Sequence, residues 1–435
     1  MGLRLARVAG RFDALLTPQR VRGYSLIFLC VGVAGYLLLP LIGVGGDAAG
    51  VGRLKFADFV ARYTSGRLLL TGDAAHLYDL AAQEAMQRQL FGPSDYLSLF
   101  VSPPFSALLY LPFAALPYLP GAILWMFVSL IWLAGSAALL RPLVPRLGGS
   151  WGGVLIVAAG SQPVIELLSI GQDSALALLL WVAGIRLSLA RRDGAAGIVF
   201  ALGLFKPQLF FLPPLLFLCL RRPRAVMTWA ATAGGLGVIS LLLVGPDGMR
   251  AWFELLASPL YQTAAQAEQA WKMLSFTAFF RALLPVSLGG VAELFGLLLG
   301  LVFAAFFVVL ALRSRHLVAG REVPLWGLAS VTTFLASPHV LIYDLVVLIP
   351  SALLLIEARA DRRVRVALAA LALLAWTAII RNGLFGALPW PLSILGGSWD
   401  ALPLLALWLA AAALVGDLSW PSFTRRAAVP MATTR

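Results

Sequence analysis

The sequence is poor in charge, cysteine and histidine. Asp, Glu, Lys and Arg make up only 12% of its 435 residues, against 60% hydrophobic ones. A soluble core could not bury so many apolar side chains, so a water-soluble globular protein is excluded. The two cysteines, Cys30 and Cys219, both fall inside apolar runs, which argues against a disulfide framework and against a zinc site. The three histidines stand at no metal-ligand spacing with cysteines or carboxylates, and there is no Asp-x-Asp pair, so a metal centre has no support. The alternating ten-residue segments of a membrane β-barrel are missing. No period of 20–50 residues recurs, which excludes a solenoid and gives no support to an inverted-repeat transporter.

What the chain does have is a succession of apolar runs of about 17–25 residues, each long enough to cross a bilayer as a helix. The class is an all-α polytopic membrane protein forming one integral membrane domain over residues 1–435. The net charge of +13 comes from arginines in short clusters between apolar runs. Such clusters are cytoplasmic topology signals rather than a nucleic-acid surface. The basic start of the chain has no small-residue cleavage site before Tyr24–Val44, so this segment is expected to be a retained helix with its N-terminus inside.

The least membrane-like stretch is Lys55–Asp79, with Lys55, Asp58, Arg62 and Arg67 set among aromatics. Read as a helix over roughly Leu54–Leu70, it places Phe56, Phe59, Val60 and Tyr63 on one face and Lys55, Asp58, Arg62 and Ser65 on another. A turn at Thr71-Gly72-Asp73 follows, then a second helix with Asp79 as N-cap that stops at Gly92-Pro93. The run Leu99–Leu119 contains four prolines. Were it a full crossing, every later arginine cluster would fall outside; as a re-entrant segment within a first extracytoplasmic loop spanning 45–119, every cluster falls inside.

The expected crossings are 24–44, 121–141, 151–168, 174–190, 194–205, 207–220, 225–244, 291–312, 323–336, 340–357, 364–380 and 401–416, about twelve transmembrane helices. A second extracytoplasmic loop spans 246–290, and 417–435 is a cytoplasmic tail. The outer edge of the membrane then collects Asp58, Arg62, Glu166, Asp173, Lys206, His339, Asp344 and Arg381. Ionisable groups at such depth are costly and mark functional sites. This set suits phosphate binding by Lys and Arg with proton transfer by a carboxylate. Plainer readings stand beside it: an i, i+4 ion pair of Asp58 with Arg62, a snorkelling Lys206, a capping His339 in a tight turn, capping by Glu166 and Asp173, and solvated His76 and His316. A transporter or flippase for a lipid-linked sugar or an anion is the main rival; a scaffold without a small-molecule site leaves the clustered charges unexplained.

Several motifs occur in order: Asp58-Phe59 with Tyr63, Gly72-Asp73 followed by Tyr78-Asp79, Ser102-Pro103-Pro104-Phe105, Gly171-Gln172, Lys206-Pro207-Gln208 and Ser337-Pro338-His339. Over roughly residues 25–360 the chain resembles glycosyltransferase family 87, the polyprenol-phosphate-mannose-dependent α-1,2-mannosyltransferase-like enzymes of the GT-C superfamily. The resemblance implies Asp58 as catalytic base in an inverting transfer from a polyprenyl-phosphate sugar to a hydroxyl of a lipid- or glycan-linked acceptor. It implies that Lys206, and Arg62 or Arg381, hold the phosphate, while Gln172, Gln208, His339 and Tyr343 line the substrate pocket. It also implies no metal cofactor, no nucleic acid, and a bacterial inner membrane with the site on the periplasmic side. The loop 246–290 carries no acceptor signature, which leaves the sugar and acceptor open.

Overall fold

The computed structural model describes residues 16–38, 57–92, 97–261, 268–315, 322–358 and 362–419. Among these, every regular element is a helix, and the single β-type pairing is a bridge between Met273 and Leu341. The first part of the chain holds α1 (Pro18–Leu38), α2 (Phe59–Leu70), α3 (Leu80–Phe91), α4 (Leu111–Ala114) and α5 (Tyr118–Leu140). The middle holds α6 (Trp151–Ala159), α7 (Gln162–Ile170), α8 (Ser174–Leu189), α9 (Asp193–Leu202), α10 (Pro207–Phe210), α11 (Leu212–Cys219) and α12 (Pro223–Ala257). The last part holds α13 (Phe276–Leu283), α14 (Gly289–Arg313), α15 (Val323–Ala336), α16 (Ile349–Ala358), α17 (Arg362–Phe385) and α18 (Ala401–Ser419).

The apolar runs become helices close to where the sequence places them, but most are too short to count as crossings. Among the described residues, four stretches are long and apolar enough to span a membrane, Tyr118–Leu143, Pro223–Ala257, Val286–Arg313 and Arg362–Phe385, or five if α6 and α7, bent by 54°, form one span. The expected figure of about twelve is therefore not reached by length. α8 and α15 have 16 and 14 residues, short of the roughly 20 that cross a bilayer core. α15 is buried along nearly its whole circumference, as expected for an all-round apolar helix at the centre of a bundle. α14 instead exposes Leu294, Leu297, Leu298 and Leu301, a surface suited to lipid.

The proline-rich run does not form one straight helix. Pro103 and Pro104 open a 3-10 turn over Pro104–Tyr110, Pro112 sits in the first turn of α4, and Pro117 precedes α5; each sits at a start, where a missing N–H costs least. The two helical pieces together reach roughly 20 Å, less than the bilayer core.

α2 departs from its expected character. Lys55 and Phe56 lie outside the described residues, and the helix begins after Asp58. It is not an amphipathic surface helix, because Phe59, Val60, Ala61, Tyr63, Thr64, Ser65, Gly66 and Leu68 are all buried. Phe59 stacks on Trp125 at 5.6 Å between ring centroids, and Phe113 and Tyr110 close on the same indole at 5.0 and 5.3 Å. This aromatic core wraps polar neighbours that a solvated helix would have left in water. α3 matches expectation, with the Asp79 carboxylate accepting from the Ala81 N–H at 2.8 Å and Gly92 at φ 85° ending it.

The described residues of the stretch 246–290 are largely helical. α12 breaks at Gly245, φ 71°, beside Pro246, and its second half turns back over the first loop, where the Trp252 indole donates to Val101 O at 3.0 Å. A 3-10 turn, Ala270–Lys272, and α13 follow. His316 and residues 420–435 of the expected tail lie outside the described residues.

Candidate active site

The site is assembled at the turn between α7 and α8. Gly171 ends α7 in the left-handed conformation, φ 76° and ψ 41°, which a side chain disfavours. Its carbonyl accepts from the Trp125 indole at 3.1 Å, and the neighbouring Ile170 carbonyl accepts from the Asp58 backbone N–H at 3.0 Å. The tight reversal aims Gln172, Asp173 and Ser174 into the bundle, all three buried.

Asp173 is completely buried and serves two cations. The Arg62 Nε donates to its Oδ2 at 3.1 Å, Lys206 Nζ lies 2.8 Å from its Oδ1, and the Tyr110 hydroxyl adds a bond of 2.9 Å. Burial pushes the Asp173 carboxyl up, but Arg62 and Lys206 outweigh it and hold it below the usual carboxylate range. Asp344, equally buried, accepts from Lys206 Nζ at 2.7 Å and from the Ser174 hydroxyl at 2.7 Å. Its other oxygen accepts from the Leu341 N–H at 3.3 Å. Lys206 also donates to Ser174 Oγ at 2.8 Å and lies 5.0 Å from the centre of the Tyr343 ring.

Asp58 differs from these two acids. It is half-buried, and its Oδ2 accepts from Gln172 Nε2 at 2.5 Å. Arg62 does not pair with its carboxylate. The guanidinium donates to the Asp58 main-chain carbonyl at 2.8 Å and to Gln172 Oε1 at 2.5 Å. Gln172 therefore takes a hydrogen bond from Arg62 on its oxygen and gives one to Asp58 from its nitrogen, which orients both. The plain i, i+4 ion pair is corrected accordingly. Lys206 is likewise buried and ion-paired rather than snorkelling, and Asp173 makes no capping bond.

A second group lies near this cluster, where the charges of Asp344 and Lys206 act on His339 and that of Asp58 acts on Glu166. His339 lies in the turn after α15, half-buried, with Nδ1 making no hydrogen bond among the described residues; its ring is 6.2 Å from that of Tyr261. It caps nothing, since Asp344 closes that turn instead. Burial holds the His339 imidazole down at about 4, so it is neutral at pH 7. Glu166 on α7 accepts from Gln162 Nε2 at 2.6 Å. The charge of Lys272 acts on both Glu166 and His339.

Two expected members stand apart. Arg381 donates to the Gly397 and Leu374 carbonyls at 2.6 and 3.2 Å and to Thr377 Oγ1 at 3.3 Å. It ties α17 to the loop before α18, and none of these bonds reaches the Asp58 cluster. Gln208 is half-buried on α10 and takes no part in the cluster's hydrogen bonds. His76, expected to be solvated, is exposed and pairs with Asp73 at 2.5 Å. Tyr110, Ser174 and Lys272 are the site residues that sequence reasoning passed over. For Lys272 a signal existed: the chain has three lysines, Lys55, Lys206 and Lys272, against thirty arginines.

Fold and site together define a multi-pass helical membrane protein with a partly open ionisable cluster at one end of its bundle. The model of glycosyltransferase family 87 matches residues 100–338, more than half of the chain, and the chain belongs to that family. It is a membrane glycosyltransferase. No curated protein and no solved structure matches it. The matched region contains Gln172, Asp173, Lys206 and Gln208 and ends one residue before His339, while Asp58 and Arg62 precede it.

Proposed function

We propose that the protein transfers a sugar, mannose or another hexose, from a polyprenyl-phosphate donor to a hydroxyl of a lipid- or glycan-linked acceptor. The transfer inverts the anomeric centre and needs no metal ion, with Asp58 as general base. It takes place on the extracytoplasmic face of a bacterial inner membrane. The observation that carries this reading is the division of labour among the three acids. Asp173 and Asp344 are buried and ion-paired, whereas Asp58 is half-exposed, has no cation on its carboxylate and is held by one neutral amide.

A base must reach its substrate, and Asp58 alone of the three has that access. The acceptor hydroxyl gives its proton to the carboxylate as its oxygen bonds to the anomeric carbon. The bond from that carbon to the phosphate oxygen breaks, and the phosphate leaves with the electron pair. Gln172 and Arg62 keep the carboxylate facing the acceptor. Lys206 and Arg62 act mainly as counter-ions to the buried acids. The neutral His339 stands ready to donate a hydrogen bond to the departing phosphate, and Tyr343 forms the wall behind Lys206. The apolar exterior lets a polyprenyl tail remain in lipid.

The test is transfer from a panel of polyprenyl-phosphate sugars by the purified protein in nanodiscs, with products read by mass spectrometry. Asp58→Asn is expected to lower turnover by about 10²–10⁴-fold, the range for loss of a general base, while the protein inserts and melts normally. Full activity in a folded Asp58→Asn variant would overturn the assignment.

A further inference from the structure

A phosphate that leaves with an added negative charge needs a cation with free donors near it. Neither cation of the cluster meets that need. Lys206 donates to Ser174 and Asp344 at 2.8 and 2.7 Å and is ion-paired with Asp173 at 2.8 Å. Arg62 is committed to Asp173, Gln172 and the Asp58 carbonyl. Freeing either would leave a buried carboxylate uncompensated, at a cost of several kcal/mol.

Lys272 has no such commitment. It is half-buried, forms no ion pair within 4 Å among the described residues, and carries its ammonium 5.9 Å from the centre of the Trp271 ring. Its position is set by backbone. Leu274 N–H donates to Val340 O at 3.0 Å and Met273 bridges Leu341, so the short strap 270–274 is stitched onto the turn that carries His339. That stitching puts a cation with no ion pair among the described residues near a histidine whose Nδ1 is also free of hydrogen bonds among them. Glu166 lies within reach of the same charge, which keeps an ammonium in place without occupying its donors.

We propose that Lys272, together with His339, holds the phosphate of the substrate at the rim of the site. The proposal rests on the reading of a polyprenyl-phosphate donor. It assigns to the strap 270–274 the role of a phosphate clamp beside His339.

The experiment measures binding of farnesyl phosphate to the purified protein in zwitterionic nanodiscs, for wild type, Lys272→Met and Lys272→Arg. Parallel arms use inorganic phosphate and nanodiscs containing phosphatidylglycerol. Loss of one charge-assisted contact is expected to weaken farnesyl phosphate binding about 10- to 100-fold in Lys272→Met, with Lys272→Arg staying within about threefold of wild type. Each variant's melting curve is recorded beside its affinity, and Lys272→Arg separates lost charge from a damaged strap. If wild type and a folded Lys272→Met bind farnesyl phosphate equally, the clamp is refuted while the donor reading stands. If wild type binds inorganic phosphate in a Lys272-dependent way but not farnesyl phosphate, the clamp stands and the polyprenyl donor falls. Lys272-dependent tightening only in phosphatidylglycerol nanodiscs would mark a bulk-lipid headgroup contact and overturn the clamp.

Discussion

Two buried ion clusters sit at opposite ends of the same helices, and they are built differently. α8 is preceded by Asp173 and followed by Arg191; α10 and α11 are preceded by Lys206 and followed by Arg221 and Arg222; α15 is preceded by Glu322 and followed by Ser337 and His339. With about 1.5 Å per residue, the 16 residues of α8 separate the two ends by about 24 Å. At the far end Arg222 pairs with Glu322 and, at 3.2 Å, with Asp193, while Arg191 reaches Glu322 at 2.9 Å. Ser188 accepts from Arg222 as well, on its hydroxyl at 2.7 Å and its carbonyl at 3.0 Å. Two cations meet two acids there, and Arg222 and Glu322 are almost inaccessible. At the Asp58 end, three carboxylates surround two cations and one acid remains half-exposed. A balanced, closed network locks helices together; an unbalanced one with an open member leaves a group for chemistry. The difference in bookkeeping, rather than the presence of buried charge, separates scaffold from site.

The largest contrast is expected at Asp58, where the Asn variant loses turnover but keeps its stability. No single residue of the far cluster should behave this way. Next come the paired cations. Arg222→Met and Lys206→Met should each lower stability by about 3–5 kcal/mol by stranding a buried carboxylate, measured by thermal or denaturant unfolding in detergent. The rescues should differ. Adding Glu322→Leu to Arg222→Met should return much of the stability and leave specific activity near wild type, because apolar replacement of both partners is often neutral. Adding Asp344→Leu to Lys206→Met should restore stability in part and leave the enzyme inactive. Equal activity in the two double variants would erase the distinction.

A smaller effect is expected at Gly171. Alanine at this left-handed position should cost about 1–2 kcal/mol and lower activity beyond what the loss of folded protein explains, since the turn aims Gln172 and Asp173. A melting curve and a specific activity on the same sample separate the two contributions.

The smallest concerns Asp400, buried in the loop before α18 with Oδ1 unpartnered among the described residues. Burial, opposed by Arg381, pushes its carboxyl up to about 6. An acid whose folded value is raised binds its proton more tightly when folded. Stability should therefore fall as pH rises from about 4 through about 6, by on the order of 1–3 kcal/mol. Asp400→Asn should flatten that slope, seen as melting temperatures at pH 5 and pH 7.5; an unchanged slope would show that Asp400 is not its source.

Much of the helical layout was legible. Apolar runs and proline positions located most of the long helices, because these rest on local hydrophobicity and local backbone restriction, while the split of 151–168, the extension of α12 to Ala257 and the helix α13 inside the expected loop 246–290 were not foreseen. Asp58, Lys206 and His339 stood out as candidates because ionisable groups beside apolar runs are costly, whereas Gln172 entered only through the family resemblance. Composition alone does not separate a central helix such as α15 from one that faces lipid, since both are apolar along their whole length. The fate of Arg381 was not legible either. It stands at an expected outer edge in sequence, yet the Gly397 carbonyl, 16 residues on, captures its guanidinium.

From sequence alone came a helical membrane protein, its family resemblance and an acid worth testing, all set by residue type and spacing along the chain. Only the tertiary structure decided which charges are spent. Arg62 finds Asp173 across 111 residues and Lys206 finds Asp344 across 138, and no periodicity reports pairings between elements so far apart. The packing that makes those pairs neutralises Asp173 and Asp344 and commits Arg62 and Lys206. It leaves Asp58 half-exposed, while a backbone bridge ties the strap that carries Lys272 to the turn of His339.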